Sequence, residues 1–92
     1  MLKVEFTGQF KRDYKLCIKR GCNPNELQAI ITALANEQPL QAKYRDHALT
    51  NSGGYKNMRE CHIQPDWLLV YQVKSEVLTL KLIRTGSHSD LF

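Results

Sequence analysis

The chain has little of what would tie it to a membrane, a metal or an oxidising compartment. No apolar run approaches the roughly 20 residues that cross a bilayer. The first residues, Met1-Leu2-Lys3-Val4-Glu5-Phe6, alternate apolar and polar side chains, unlike the continuous apolar stretch of a secretion signal, so a cytoplasmic protein is expected. Cysteine occurs three times, at Cys17, Cys22 and Cys61. An odd count without a C-x-x-C spacing argues against a disulfide framework or a zinc ribbon, leaving ordinary thiols in a reducing environment. Low-complexity tracts and internal repeats are absent. So are a glycine-rich phosphate loop and any pair of carboxylates suited to two-metal catalysis. No cofactor and no metal are therefore expected.

What remains is an ordinary globular composition, 42% hydrophobic and 24% charged, over 92 residues. This length supports a single domain, 1–92, with one modest core. The net charge of +4 is unevenly placed. Lys3, Lys11, Arg12, Lys15, Lys19 and Arg20 face only Glu5 and Asp13 in the first twenty residues, and the remainder of the chain is neutral. A basic first element can hold a polyanion. Lys11, Arg12, Lys15 and Lys19, together with Lys43, Arg45 and Arg59, are the candidate residues for holding such a polyanion. On charge alone a solvated helix face is the better reading of the first element.

Residues 2–6 read as a short strand. From Thr7 to Arg20, Phe10, Tyr14, Cys17 and Ile18 recur at helical spacing, and Gly21 suits a left-handed stop. Asn23-Pro24-Asn25-Glu26 begins a second helix with Asn as cap and Pro in the first turn. Leu27, Ile30, Ile31 and Leu34 form its apolar stripe, and Gln38-Pro39 ends it. Residues 39–54 lack a period and read as a loop. Strands are expected at about 55–63, 67–73 and 77–85, joined by turns too short for anything but antiparallel pairing. The expected fold is α+β: a two-helix hairpin packed on a small antiparallel sheet. Symmetrical closure of a turn at 74–76 places Arg84 opposite Asp66.

In that register His62, Asp66, Arg84 and His88 gather at one end of the sheet, and a bend at Gly86 returns Phe92 over it. Singly, each has a structural explanation: a surface ion pair, a strand histidine, a core role for Trp67. Together they suit cleavage of RNA by its own 2′-hydroxyl. That reaction needs a base for the hydroxyl proton and an acid for the 5′-oxygen, which histidines can supply near neutral pH. It also needs fixed positive charge at the phosphorane, which an arginine supplies. A zinc site built from His47, His62, His88 and Asp66 is the rival arrangement; its residue types fit, but its spacings match no compact motif.

The segments Asp46-His47-Ala48-Leu49, Arg59-Glu60-Cys61-His62-Ile63-Gln64-Pro65-Asp66-Trp67-Leu68-Leu69-Val70-Tyr71 and Arg84-Thr85-Gly86-Ser87-His88 together resemble the YafQ branch of the RelE toxin superfamily. The likeness extends over nearly the whole chain, although Thr50–Gly54 and Asn57-Met58 depart from the family pattern. It implies a RelE-like fold and a ribosome-dependent mRNA interferase, held inactive by a cognate antitoxin protein and acting on mRNA in the ribosome. The complex with antitoxin is expected at operator DNA. The resemblance implies a site of His47, His62, Asp66, Arg84, His88 and Phe92. In it His88 is the general acid, His62 and Asp66 form the base side with help from His47, Arg84 clamps phosphate and Phe92 stacks on a base. Two alternatives use the same basic helix without catalysis: an RNA- or ribosome-binding module, and an interaction domain for an acidic protein. Neither needs His62 and His88 in one place.

Overall fold

The computed structural model describes residues 1–49 and 57–92. Along the chain, β1 (Lys3–Phe6) is followed by α1 (Gly8–Lys19), α2 (Pro24–Ala35), a 3-10 turn (Ala42–Tyr44) and β2 (His47–Ala48). Then come β3 (Arg59–Gln64), β4 (Trp67–Lys74), a second 3-10 turn (Ser75–Val77), β5 (Thr79–Gly86) and α3 (His88–Leu91). The strands form one sheet in the order β1-β5-β4-β3-β2. It is α+β as expected, but the sheet is mixed: β1 runs parallel to β5 while the other pairs are antiparallel. The physical reason is the crossover. Two helices separate β1 from the hairpins, and a connection of that length permits parallel pairing.

Local chemistry sets the helix ends. The Thr7 side chain accepts from the Phe10 amide, and Asn23 from the Asn25 amide with Pro24 next in line, each occupying a donor that helix geometry leaves without a partner. At the end of α1 the Gly21 amide donates to Ile18 and the Cys22 amide to Cys17. This closure needs a left-handed residue between them, and Gly21 provides it with φ 89°. The apolar faces of α1 and α2 then pack on the sheet. Phe10, Leu27, Ile30 and Ile31 meet Leu69, Tyr71, Leu80 and Leu82 in the main core. Trp67 belongs to that core, its indole donating to Thr85 Oγ1 at 2.9 Å. Cys17 and Cys61 are buried free thiols, pushed by desolvation up to about 11 and about 12.

The opposite face of the sheet lies away from α1 and α2, and its centre is buried too. There Leu68 and Val70 form a smaller cluster with Leu91 of α3. Burying a leucine contributes about 1.5–3 kcal/mol, so Leu91 is the apolar anchor that lays the C-terminal turn on this face.

Two expectations about chain path are corrected. The segment expected as loop carries the Ala42–Tyr44 turn and the two-residue strand β2, which pairs with Arg59 and Glu60; its last residues, 50–54, and the start expected for the next strand lie outside the described residues. The β4–β5 register also differs: Arg84 pairs with Val70, not Asp66. The turn consumes more chain than a symmetrical closure at 74–76, because Leu78 follows the 3-10 residues in a left-handed conformation, φ 49°. A bulge at Val70/Tyr71 then adds one further residue to β5.

Candidate active site

Cross-strand pairing arranges the polar residues in rows. His47 pairs with Glu60, Glu60 with Val70, and Val70 with Arg84. In the next row His62 pairs with Leu68, and Leu68 with Gly86. Paired residues share a face, so these rows define the face left open by α1 and α2. His62 and Gly86 are two strands apart, which at about 4.8 Å per strand is about 10 Å.

At one side of this face lies a triad that spacing alone did not single out. Glu60, its side chain only 7% exposed, directs Oε1 to His62 Nε2 at 3.1 Å and to His47 Nε2 at 3.9 Å. The other nitrogen of each ring is held by a backbone carbonyl. His47 Nδ1 donates to Arg45 O at 2.5 Å, and His62 Nδ1 to Pro65 O at 3.3 Å. The rings are 6.4 Å apart, with His47 half exposed and His62 largely covered. A left-handed Arg45, φ 48°, turns the chain into β2 and so delivers His47. Next to it Asp46 accepts from Tyr71 Oη and from Arg59 Nε at 3.3 Å. Burial first, and the Asp46 hydrogen bond second, push the Tyr71 phenol far above its usual range. Arg59 is thus spent partly on holding Asp46.

At the other side sits the C-terminal turn. The His88 amide donates to Asp66 Oδ1 at 2.9 Å, and the His88 and Phe92 rings lie 5.2 Å apart. Ser87 and Asp90 form a reciprocal capping box, and Arg20 at the end of α1 bonds Asp90 at 2.6 Å. The Arg20 hydrogen bond, followed by the two from Ser87, holds the Asp90 carboxyl at about 2. Gly86 is required here, since a Cβ would come within 3.0 Å of that carboxylate.

The structure therefore gathers His47 with His62, and Asp66 with His88 and Phe92, and places Arg84 across Val70 from Glu60. Arg84 pairs with Val70 rather than with Asp66. Its Nε and Nη2 each lie 3.0 Å from Asp13 on α1. Glu60 and Asp13 are the residues that sequence reasoning missed. A signal existed for each: Glu60 is two residues from His62 and so on its face, and Asp13 falls between Phe10 and Cys17 on the buried stripe of α1. The cations are on the periphery. Lys11, Arg12, Lys15 and Lys19 are exposed along α1. Lys43 and Arg45 line an open cleft of about 600 Å³ beside His62, with Gln64, Pro65 and Glu26. Among the described residues no group of three or more metal-ligating side chains is arranged to hold an ion, so the rival set His47, His62, His88 and Asp66 is not assembled as a ligand cage.

This architecture, a helical hairpin on a mixed sheet, is shared with solved structures of bacterial toxins. The chain belongs to the YafQ family of these toxins: the family described as "Bacterial toxin of type II toxin-antitoxin system, YafQ" matches residues 2–92. It is 40% identical over 90 residues to "mRNA interferase toxin YafQ" of Escherichia coli strain K12, covering 97% of this chain and 94% of that one. Among solved structures, a metal-bound toxin from Helicobacter pylori is 49% identical with a TM-score of 0.92, covering both chains fully. The toxin in the E. coli DinJ-YafQ complex is 40% identical with a TM-score of 0.88, covering 100% of this chain and 99% of that one.

Proposed function

We propose that the chain is an endoribonuclease that cuts mRNA on the ribosome, without a metal, by attack of the 2′-hydroxyl on the adjacent phosphate. The observation that carries this reading is the placement of histidines toward both sides of one sheet face: His62 lies two strand spacings, roughly 10 Å, from Gly86 at the His88 side, and His47 stands one strand further out. In-line displacement needs an acid and a base on opposite sides of the phosphorus.

The base side is His47, His62 and Glu60. His47 Nδ1 is committed to the Arg45 carbonyl, which leaves Nε2 of this half-exposed side chain as the atom able to take the 2′-hydroxyl proton. Glu60 lies where it stabilises the imidazolium that forms, and His62 fixes Glu60. His88 is the acid for the departing 5′-oxygen. Asp66, bonded to the His88 amide, orients that turn. Arg84 neutralises charge at the phosphorane. Phe92, 55% exposed beside His88, supplies a ring on which a base can stack. The 2′-hydroxyl is already tethered to its target, so no protein nucleophile is required.

The cations of α1, with Lys43, Arg45 and Arg59, are read as contacts to ribosomal RNA and mRNA backbone. By analogy with the DinJ-YafQ complex, the partner that silences the toxin is a cognate antitoxin protein, and the complex of the two is read as binding operator DNA. The setting is the cytoplasm; no helix among the described residues is long and apolar enough to cross a membrane.

Product analysis tests the reaction. The upstream fragment should end in a 2′,3′-cyclic phosphate or 3′-phosphate and the downstream fragment should begin with a 5′-hydroxyl. A substrate with 2′-deoxy or 2′-O-methyl at the nucleotide before the cut should bind and resist cleavage. A downstream 5′-phosphate would instead identify an activated water and overturn the proposal.

A further inference from the structure

Arg84 stands where β5 has lost its neighbour. The last paired residue of β1 is Phe6, opposite Leu82, and beyond it the chain leaves the sheet through Thr7, whose hydroxyl donates to the Ile83 carbonyl at 2.8 Å. The edge beside Arg84 is closed by α1, and the residue α1 presents is Asp13. Its carboxylate is almost wholly buried and fully engaged. Oδ2 accepts from Arg84 Nε at 3.0 Å and from the Thr85 amide at 3.2 Å; Oδ1 accepts from Arg84 Nη2 at 3.0 Å and from Gln9 Nε2 at 3.0 Å. Gln9 in turn accepts from exposed Arg12 at 3.0 Å. A continuous chain, Arg12–Gln9–Asp13–Arg84, therefore runs from the basic face of α1 to the open face of the sheet.

We infer that Asp13, oriented by Gln9, is the positioning residue that sets the guanidinium plane of Arg84 for the scissile phosphate, and that it ties the RNA-binding helix to the chemistry. The inference rests on the reading of Arg84 as phosphate clamp. Two parallel bonds from one carboxylate fix the plane as well as the place of a guanidinium. Lysine, a rotatable point charge, could not be held this way. Burial by itself would raise the Asp13 carboxyl, but the bonds from Arg84, Gln9 and the Thr85 amide outweigh it and hold it below its usual value. The two parallel bonds to Asp13 define the fork. Its geometry is fixed before RNA arrives, which is the condition for transition-state charge to be met without rearrangement.

The test is a double-mutant cycle read by single-turnover cleavage of a minimal RNA at saturating enzyme, alongside thermal melting. Asp13→Asn keeps the shape and removes the charge; it should lower the cleavage rate constant by about ten- to a hundredfold, the scale of a small misplacement, with little change in RNA affinity. Gln9→Ala, at an exposed position, should lower it about threefold, a minor part of the same misplacement, without loss of fold. In an Arg84→Ala background neither change should cost anything further. Should Asp13→Asn not fold, Gln9→Ala in the two backgrounds decides alone. An unchanged rate constant in folded Asp13→Asn, or equal losses in both backgrounds, would overturn the inference while an impaired Arg84→Ala keeps the clamp intact. Full activity of Arg84→Ala would instead remove the clamp reading, and this inference with it.

Discussion

The two histidine groups of the open face are secured by different means. His47 and His62 stand on paired strands around a buried carboxylate, with a backbone carbonyl fixing the second nitrogen of each ring. His88 stands at the start of a four-residue helix held by a capping box, an ion pair between Arg20 and Asp90, and the burial of Leu91. A proton acceptor that must be ready before substrate binds gains from the rigid setting. On the proposed reading, a proton donor and a stacking ring are placed by a short element anchored through its side chains. The difference teaches that substitutions around Glu60 should act on chemistry, whereas substitutions around Asp90 should act on the placement of His88 and Phe92.

The sharpest way to break this comparison is to remove one histidine from each side. His88→Ala and His47→Ala should each lower cleavage by about 10²–10⁴, the usual range for a missing proton-transfer group, and His88→Ala should relieve growth arrest in cells expressing the toxin without antitoxin. A folded His88→Ala variant of full toxicity would place the acid elsewhere.

Phe92→Ala should act more weakly and on binding. Losing one base stack costs about 1–3 kcal/mol, so KM should rise about five- to 150-fold with kcat little changed; a fall in kcat alone would show that Phe92 supports His88 rather than the RNA. Neutralising Lys11, Lys15 and Lys19 together should weaken ribosome binding and flatten its salt dependence by up to roughly 0.7–0.9 logarithmic units for each lost phosphate contact. Slow cleavage of free RNA should be untouched. An unaltered slope would show that this face is only solvated.

The smallest effect concerns acid. Asp90 is held at about 2 by Arg20 and Ser87, below the usual carboxylate value near 3.9. A carboxylate with a depressed folded value stabilises above its unfolded value and loses that contribution as pH falls through the folded one. The C-terminal turn should therefore loosen between about pH 4 and pH 2, seen as a change in Phe92 ring resonances, and the loosening should be absent in Asp90→Asn.

Much of the scaffold was legible because each signal had a single local cause. Asn23-Pro24 and Gly21 announce the ends of helices, and Leu27, Ile30, Ile31 and Leu34 announce a buried stripe. The register of β5 was hidden, since nothing in Lys74-Ser75-Glu76-Val77-Leu78 signals that a leucine will take a left-handed conformation. The site residues of the resemblance were all in view, but their grouping was not: it depends on that register and on β2, a two-residue strand too short to show alternation. Glu60 and Asp13 were readable in hindsight from period two and period 3.6, yet an acid beside a histidine or among lysines resembles ordinary surface charge until burial is known.

The central claim is that His88 donates a proton from one side of the phosphate while the His47–Glu60–His62 edge accepts one on the other. It is tested most directly with a substrate whose leaving 5′-oxygen is replaced by sulfur, a group that departs without protonation. With that substrate, His88→Ala should cleave at close to the wild-type rate, while His47→Ala should remain as impaired as on the oxygen substrate. If sulfur fails to rescue His88→Ala, or rescues both variants alike, the division of labour across the sheet is contradicted.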